Sequence, residues 1–431
     1  MKLSSILGLN ARAQLYSYLY NPAKGKAIAD SKIATHKVLD KEGIANPEIY
    51  AKFKNSPQMG KFNWEKLPDA FALKPSKGLG GEGIIVVKKK ANDKNGWITT
   101  QRERVTVADL KLHTSDILEG AYSMDSSPDV AFIQEYVGRH KAFKKYAYRG
   151  TPDIRIIVFN KVPVMAMLRL PTHQSGGRAN LHQGAIGVGI DIATGITTKA
   201  IWHGNQIKFK PGTNKKLHGI KIPHWTQVLE TAVCAQTASG LGYLGVDIVL
   251  HPEKGPQVLE INAEPGLTIQ LANMAGLRKR LDRVEGLEVK DAEHGVKIAK
   301  ALFAANFADR VMAEEGIKTL GTFETIKIRA QNGKKVEVPV KIDTGAKRTS
   351  IDRTLAKDLG LLDEGNILWY KRFRSALGRE KRPIVYLTFW LKGKKIKTAA
   401  GISDRSKLRK PVIVGTRDLT GFLVSPSEYG K

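Results

Sequence analysis

The chain reads as an α+β protein with mixed sheets, followed by a smaller all-β domain, and three observations predict this. Helical and strand patterns alternate irregularly up to about residue 313. Beyond Gly316 only short strands with turn residues between them remain. Basic residues also crowd that last quarter, with 25 Lys or Arg against 11 Asp or Glu from Thr322 to Lys431. At 431 residues the chain exceeds the roughly 250–300 residues at which single cores stop growing. The expected organisation is a short N-terminal segment (1–29), a larger domain (30–315) and a β domain (322–431).

The elements follow in order. DSKIATHKVLDKEGI, from Asp30, has apolar residues at helical spacing, a capping start and a glycine stop at Gly43. FALKPSKGLGGEGIIVV reads as strand, glycine loop and strand, and a largely polar stretch runs from Lys88 to Pro128. AFIQEYV is a strand, and DIRIIVFNKVPVMAMLRL is a pair of strands about an Asn160-Lys161 turn. VLETAVCAQTASGLGYLG is a helix, GVDIVL and QVLEINAEPG form two more strands, and Asp291–Ala313 is helical. Short strands then dominate: FETIKIRA, KKVEVPVKID, PIVYLTFWL, KKIKTAAGI and KPVIVG. There is no internal repeat.

Composition narrows the function classes. The formal charge of +29 favours polyanionic partners without choosing among them. Nucleic acid is disfavoured, because no recognition motif or aromatic stacking surface accompanies the charge. No stretch approaches the ~20 apolar residues of a membrane span. The first residues lack the apolar core and cleavage site of a signal peptide. A single cysteine, Cys234, excludes an intramolecular disulfide, and a cytoplasmic location is expected.

Lys74 ends an apolar strand, and Gly78, Gly80, Gly81 and Gly83 follow within nine residues. Glycines let backbone N–H groups close on phosphate oxygens, while a lysine adds a point charge. No Gly-Lys-Ser/Thr follows, so this is not a Walker A loop. Asp247 lies in GVDIVL, and Glu260 and Asn262 lie two apart in VLEINAEPG, hence on one face of a strand. Such oxygens in an apolar sheet need compensation. Mg²⁺ would supply it, and a buried basic group is the alternative. Asp153, Arg155, Arg169, Arg178, Asn180 and His182 lie between; converging arginines could hold a carboxylate or an acyl phosphate.

In order, DSKIATHKVLDKEGI, ALKPSKGLGGEGI, FIQEYV, DIRIIVFN, GRANLHQGA, GYLGVDIVL and EINAEPGL resemble the ATP-grasp core of the bacterial α-L-glutamate ligases, over residues 30–275. That resemblance implies an ATP-grasp fold. It implies Lys74 on the phosphates, a hinge of Gln134, Glu135, Tyr136 and Val137 reading adenine and ribose, and Asp153 with Arg178–Asn180 completing the nucleotide site. It also implies Asp247, Glu260 and Asn262 on two Mg²⁺ ions, with Mn²⁺ as a substitute. The implied reaction passes the γ-phosphate to a carboxylate and lets an amine attack the acyl phosphate, with Arg155 or Arg169 facing it. The acceptor would be an amino acid and a peptide or protein, acidic in character. The family carries a whole α/β domain where this chain has about thirty residues, and its loop-to-hinge segment is shorter than 88–128 here.

VKIDTGAKRTSI places Asp343-Thr344-Gly345 after an apolar strand, and KPVIVGTRDL follows near the end. Both resemble the retropepsin-like domains, labelled ATP-dependent zinc proteases, that accompany these ligases. The resemblance implies a small barrel with Asp343 at its active-site turn and the Thr344 hydroxyl fastening it. The domain holds neither histidine nor cysteine, so zinc is not expected. An aspartic mechanism needs two carboxylates, which one copy supplies only as a homodimer. The function expected is thus an ATP-dependent carboxylate–amine ligase with a peptidase or peptide-binding domain. The alternative is ATP-dependent proteolytic processing centred on Asp343.

Overall fold

A computed structural model describes residues 6–303 and 318–424, except 79, 94, 124, 125, 376, 377 and 407. It divides into two compact units, Met1–Glu285 and Gly286–Lys431. The helix Ala292–Leu302 falls in the second unit. Its expected continuation beyond Phe303 to Ala313, and residues 315–317 of the expected 315–322 boundary, lie outside the described residues.

Two antiparallel sheets make the first unit. The strands β1 (Ile49–Phe53), β2 (Phe71–Pro75), β3 (Ile85–Lys90), β4 (Trp97–Thr99), β5 (Arg104–Val105) and β6 (Ala131–Glu135) pair in the order β1-β6-β2-β3-β4-β5. The polar stretch from Lys88 builds part of this sheet. Its helix Val107–Leu118 is closed by a capping box between Thr106 and Asp109. Trp97, Leu110 and Ile117 from this stretch are buried with Phe71 and Leu73 in one core. Each such apolar side chain contributes roughly 1.5–3 kcal/mol, so the segment belongs to the fold itself.

The second sheet contains β7 (Asp153–Phe159), β8 (Val162–Leu170), β9 (Ile186–Ile190), β10 (Thr197–Trp202), β11 (Asn205–Ile207), β12 (Tyr243–His251) and β13 (Gly255–Asn262), in the order β11-β10-β9-β8-β7-β12-β13. The turn between β7 and β8 has φ of 50° at Asn160 and 58° at Lys161, the geometry of a tight hairpin. The helix Trp225–Ser239 packs on β7, β12 and β13. The helix Lys32–Lys41 starts at Ser31, whose hydroxyl accepts from the Ala34 N–H, and stops at Gly43 with φ 65°. Between Leu9 and Ala29 the chain forms short helices tied to the second sheet. Asn21 accepts from the Tyr243 N–H (2.9 Å) and donates to the carbonyls of Tyr243 and Ala263.

In the second unit, β15 (Phe323–Arg329), β16 (Lys335–Asp343), β17 (Ser350–Asp352), β18 (Ile367–Ser375), β19 (Gly378–Leu391), β20 (Lys394–Ser403) and β21 (Val412–Gly415) pair as β15-β16-β21-β17-β20-β19-β18. A further β15–β19 pairing closes six of them into a barrel. Ile326, Val340, Phe389, Ile402 and Val414 fill its interior. The pair β14 (Lys318–Leu320) and β22 (Phe422–Val424) runs parallel beside it.

Candidate active site

A cleft of about 1240 Å³ lies in the first unit, with residues of both sheets in its walls. The register sets the chemistry of one wall. Arg155 on β7 faces Asp247 on β12, which faces Glu260 on β13; Gly245 faces Asn262 one step along. Asp153 on β7 faces Arg169 on β8. Because side chains alternate along a strand, all six polar groups point to one side of the sheet.

These groups form one ion-pair network. Arg155 donates through Nε and Nη2 to the two oxygens of Asp247, both at 2.6 Å. Arg169 donates through Nη2 to Asp247 Oδ2 at 2.6 Å and to Asp153 Oδ2 at 2.7 Å, and through Nε to Asp153 Oδ1. Burial alone would push Asp247 up, but the two guanidinium groups outweigh it and hold the carboxyl well below the usual range. Burial pushes Asp153 up to about 6, against the opposing pull of Arg169. The sequence left Mg²⁺ or a buried basic group to compensate Asp247; the structure gives its oxygens three guanidinium N–H donors. Asp153, expected in the nucleotide site, lines the cleft with both oxygens already held by Arg169.

Glu260 is the more open carboxylate. Its side chain keeps 31% of its exposure, and its contact with Arg155 is long, at 3.8 Å. Asn262 Nδ2 lies 3.5 Å from Glu260 Oε1. Hard oxygens with exposed lone pairs beside space for phosphate fit Mg²⁺, which commonly takes one or two carboxylates plus substrate oxygens. Among the described residues no group of three or more His, Cys, Asp or Glu side chains makes a metal cage. An ion here would therefore rest on Glu260 and Asn262, sharing Asp247 with the arginines.

Lys74 comes from the end of β2 on the other wall. It is buried, and its Nζ donates to Gln134 Oε1 at 2.8 Å. Burial, with help from Lys32, pushes its pKa down to about 8. The lysine is charged at pH 7 and loses that charge as the pH rises through about 8. If it binds phosphate, nucleotide affinity should fall about tenfold per unit above that value. Titrating ADP in Mg²⁺ between pH 7 and 9.5 checks this, with Lys74→Met expected to be weaker and nearly flat.

The glycine loop follows. Gly80 and Gly81 have φ of 62° and 82° and line the cleft. Asn180 donates to the Gly80 carbonyl at 3.0 Å, linking this loop to the Arg178–Asn180 segment; Arg178 itself is exposed in the lining. Gly78 lines the cleft too, and its carbonyl accepts from Lys32 Nζ at 2.7 Å. Gly83 does not. It is a glycine because φ is 67° and a Cβ would lie 2.5 Å from the Tyr122 ring.

The hinge is split. Tyr136 and Val137 line the cleft, with Thr151 donating to the Val137 carbonyl at 2.6 Å. Gln134 is buried behind Lys74 and donates to the Pro47 carbonyl, so it positions the lysine. Glu135 turns away, pairing with Lys254 and lying 3.5 Å from His251. Neither side chain is among the cleft residues that could read a base. Sequence reasoning missed Lys32. A cation in the first turn of a helix opposes the dipole there, and that misfit was a legible signal.

Asp343 lies in the second unit, at the end of β16 beside Gly415 of β21. Its Oδ1 accepts from the N–H groups of Gly345 (3.0 Å) and Ala346 (3.1 Å), as a tight turn requires. Thr344, expected to fasten the turn, is exposed. Thr349 does that work: its hydroxyl donates to the buried Asp418 and accepts from the Gly415 N–H.

A family model described as sugar-transfer associated ATP-grasp matches residues 11–286. The chain belongs to that family. The match begins within the N-terminal helices and ends at the edge of the first unit, so this ATP-grasp protein includes the short helices in its core. No curated protein matches the chain. Solved structures similar to it include the ATP-grasp ligase PsnB with a minimal precursor, at 16% identity over 62% of each chain and TM-score 0.32. Another is D-alanine–D-alanine ligase from Bacillus anthracis with ATP, at 16% identity over 68% of this chain and 70% of that one, TM-score 0.33. A Legionella pneumophila protein of unknown function is 18% identical over 26% of this chain and 96% of its own, TM-score 0.19. Among the described residues no helix is long and apolar enough to cross a membrane.

Proposed function

We propose that this ATP-grasp protein is an ATP- and Mg²⁺-dependent ligase that joins a carboxylate to an amine through an acyl phosphate, adding glutamate or a similar amino acid to a peptide or protein. One observation carries this reading. A single cleft sets the row Arg155–Asp247–Glu260, with Asn262, on one wall and Lys74 with its glycine loop on another.

In this account Lys74 and the loop amides hold the phosphates, and Glu260 and Asn262 would hold Mg²⁺. The ion, when bound, supplies charge neutralisation on the phosphoryl oxygens. Asp247 fixes Arg155, whose remaining Nη1 lies beside Gly266 at the cleft. Arg155 would orient the substrate carboxylate for attack on the γ-phosphorus, with ADP leaving. The amine then attacks the acyl carbon and phosphate leaves. Arg169 binds two carboxylates already and acts as a positioning residue. The protein contributes orientation and charge rather than covalent chemistry.

Incubation with ATP, Mg²⁺ and a panel of amino acids and peptides tests the reading by mass spectrometry. Phosphate release should require an acceptor and accompany a product heavier by one amino acid less water. Equal release without acceptor would contradict it.

We assign the barrel as a retropepsin-like peptide-binding module that cuts only as a homodimer pairing two Asp343 carboxylates. Asp343→Asn should leave amide formation within about twofold of wild type. Loss of all ATP-dependent product in that variant would favour proteolytic processing instead.

A further inference from the structure

A second cleft, of about 830 Å³, lies on the first unit and shares Thr99 and Thr100 with the nucleotide cleft. That volume is within the ~300–1,000 Å³ range of small-ligand sites. Six basic side chains line it, Lys88, Lys89, Arg102, Arg104, Arg139 and Arg149, against the single carboxylate of Asp93 among the described residues. Arg104 takes that carboxylate at 2.6 Å. Arg139 and Arg149 are half-buried and held by neutral groups. Arg139 donates to the Ala147 carbonyl, and Arg149 donates to the carbonyl and side-chain oxygen of Gln101. Their charge is therefore oriented without being neutralised. Burial first, and then repulsion from Lys215 and Arg139, push Lys210 down.

Arg149 also ties the two clefts together. Its partner Gln101 lines the nucleotide cleft and donates to the Gly176 carbonyl in the segment leading to Arg178. A ligand resting on Arg149 would thus be linked through Gln101 to the lining of the nucleotide cleft.

We propose that this basic cleft docks an acidic peptide, several carboxylates long, whose reacting end passes over Thr99–Thr100 into the nucleotide cleft. The proposal rests on the ligase reading and names the substrate class and its seat. Spaced guanidinium forks suit successive carboxylates. No aromatic ring is among the described lining residues, so the stacking platform that single-stranded nucleic acid uses is missing there.

The test uses the full chain and a labelled oligoglutamate peptide, read by fluorescence anisotropy at low and physiological salt. Wild type should bind, more weakly as salt rises. Lys88→Glu with Lys89→Glu should weaken binding about tenfold or more, while ADP–Mg²⁺ affinity stays unchanged. Arg102→Gly is a second variant that relieves a φ of 73° and should weaken the peptide in the same direction without loss of stability. Unchanged peptide binding in both variants, no binding by wild type, or equal binding of an oligonucleotide of matched charge would each overturn the proposal. Those outcomes leave ADP binding and turnover intact, so they are distinct from a failure of the ligase reading, which would show first in ADP binding.

Discussion

Glu260→Ala should lower Mg²⁺-dependent ATP turnover by about a hundredfold or more, because a metal ion on the phosphoryl oxygens is worth several kcal/mol of charge stabilisation. The side chain is partly exposed and its ion pair with Arg155 is long, at 3.8 Å, so the substitution leaves little unsatisfied behind it. The variant should fold and melt like wild type. Glu260→Asp should recover part of the activity, with a raised Mg²⁺ requirement. Steady-state phosphate release against Mg²⁺ concentration reads both effects. Full activity in Glu260→Ala would take the carboxylate out of the site.

Arg169→Met should instead strike stability. The guanidinium is buried with Asp153 and Asp247, and removing it strands Asp153 in a sheet of Ile, Val and Leu, while Asp247 keeps Arg155. Breaking a buried pair by deleting one partner costs about 3–5 kcal/mol. Urea unfolding, compared at unchanged slope, measures the loss. Asp153→Asn in the same background should return part of it, since the stranded charge is gone. A double-mutant cycle would then show strong coupling between the two positions. Additive losses would mean that the pair is not formed as described.

The site was legible to different depths. Strand periodicity placed Glu260 and Asn262 on one face, and the hairpin brought Asp247 opposite Glu260. Which cation answers Asp247 was not legible, because Arg155 and Arg169 meet it only through cross-strand register, which no local pattern encodes. The hinge failed for a similar reason. QEYV is a contiguous run, yet alternation and neighbouring elements send Gln134 to Lys74, Glu135 to Lys254, and leave Tyr136 and Val137 to the cleft. The polar stretch after Lys88 hid a strand pair and a helix, because its fully buried apolar residues, Trp97, Leu110 and Ile117, are widely spaced among polar ones. Its basic residues carried no sign of a cleft until the backbone folded Arg139 and Arg149 towards them.

Oxygen transfer tests the central claim most directly. With the carboxylate substrate selected by the acceptor screen, labelled with ¹⁸O in its carboxyl group, the phosphate released during turnover should carry one ¹⁸O atom. That atom can arrive only if the carboxylate attacked the γ-phosphorus and later left with phosphate. Phosphate free of label, at the same rate of product formation, would contradict an acyl phosphate formed in this cleft.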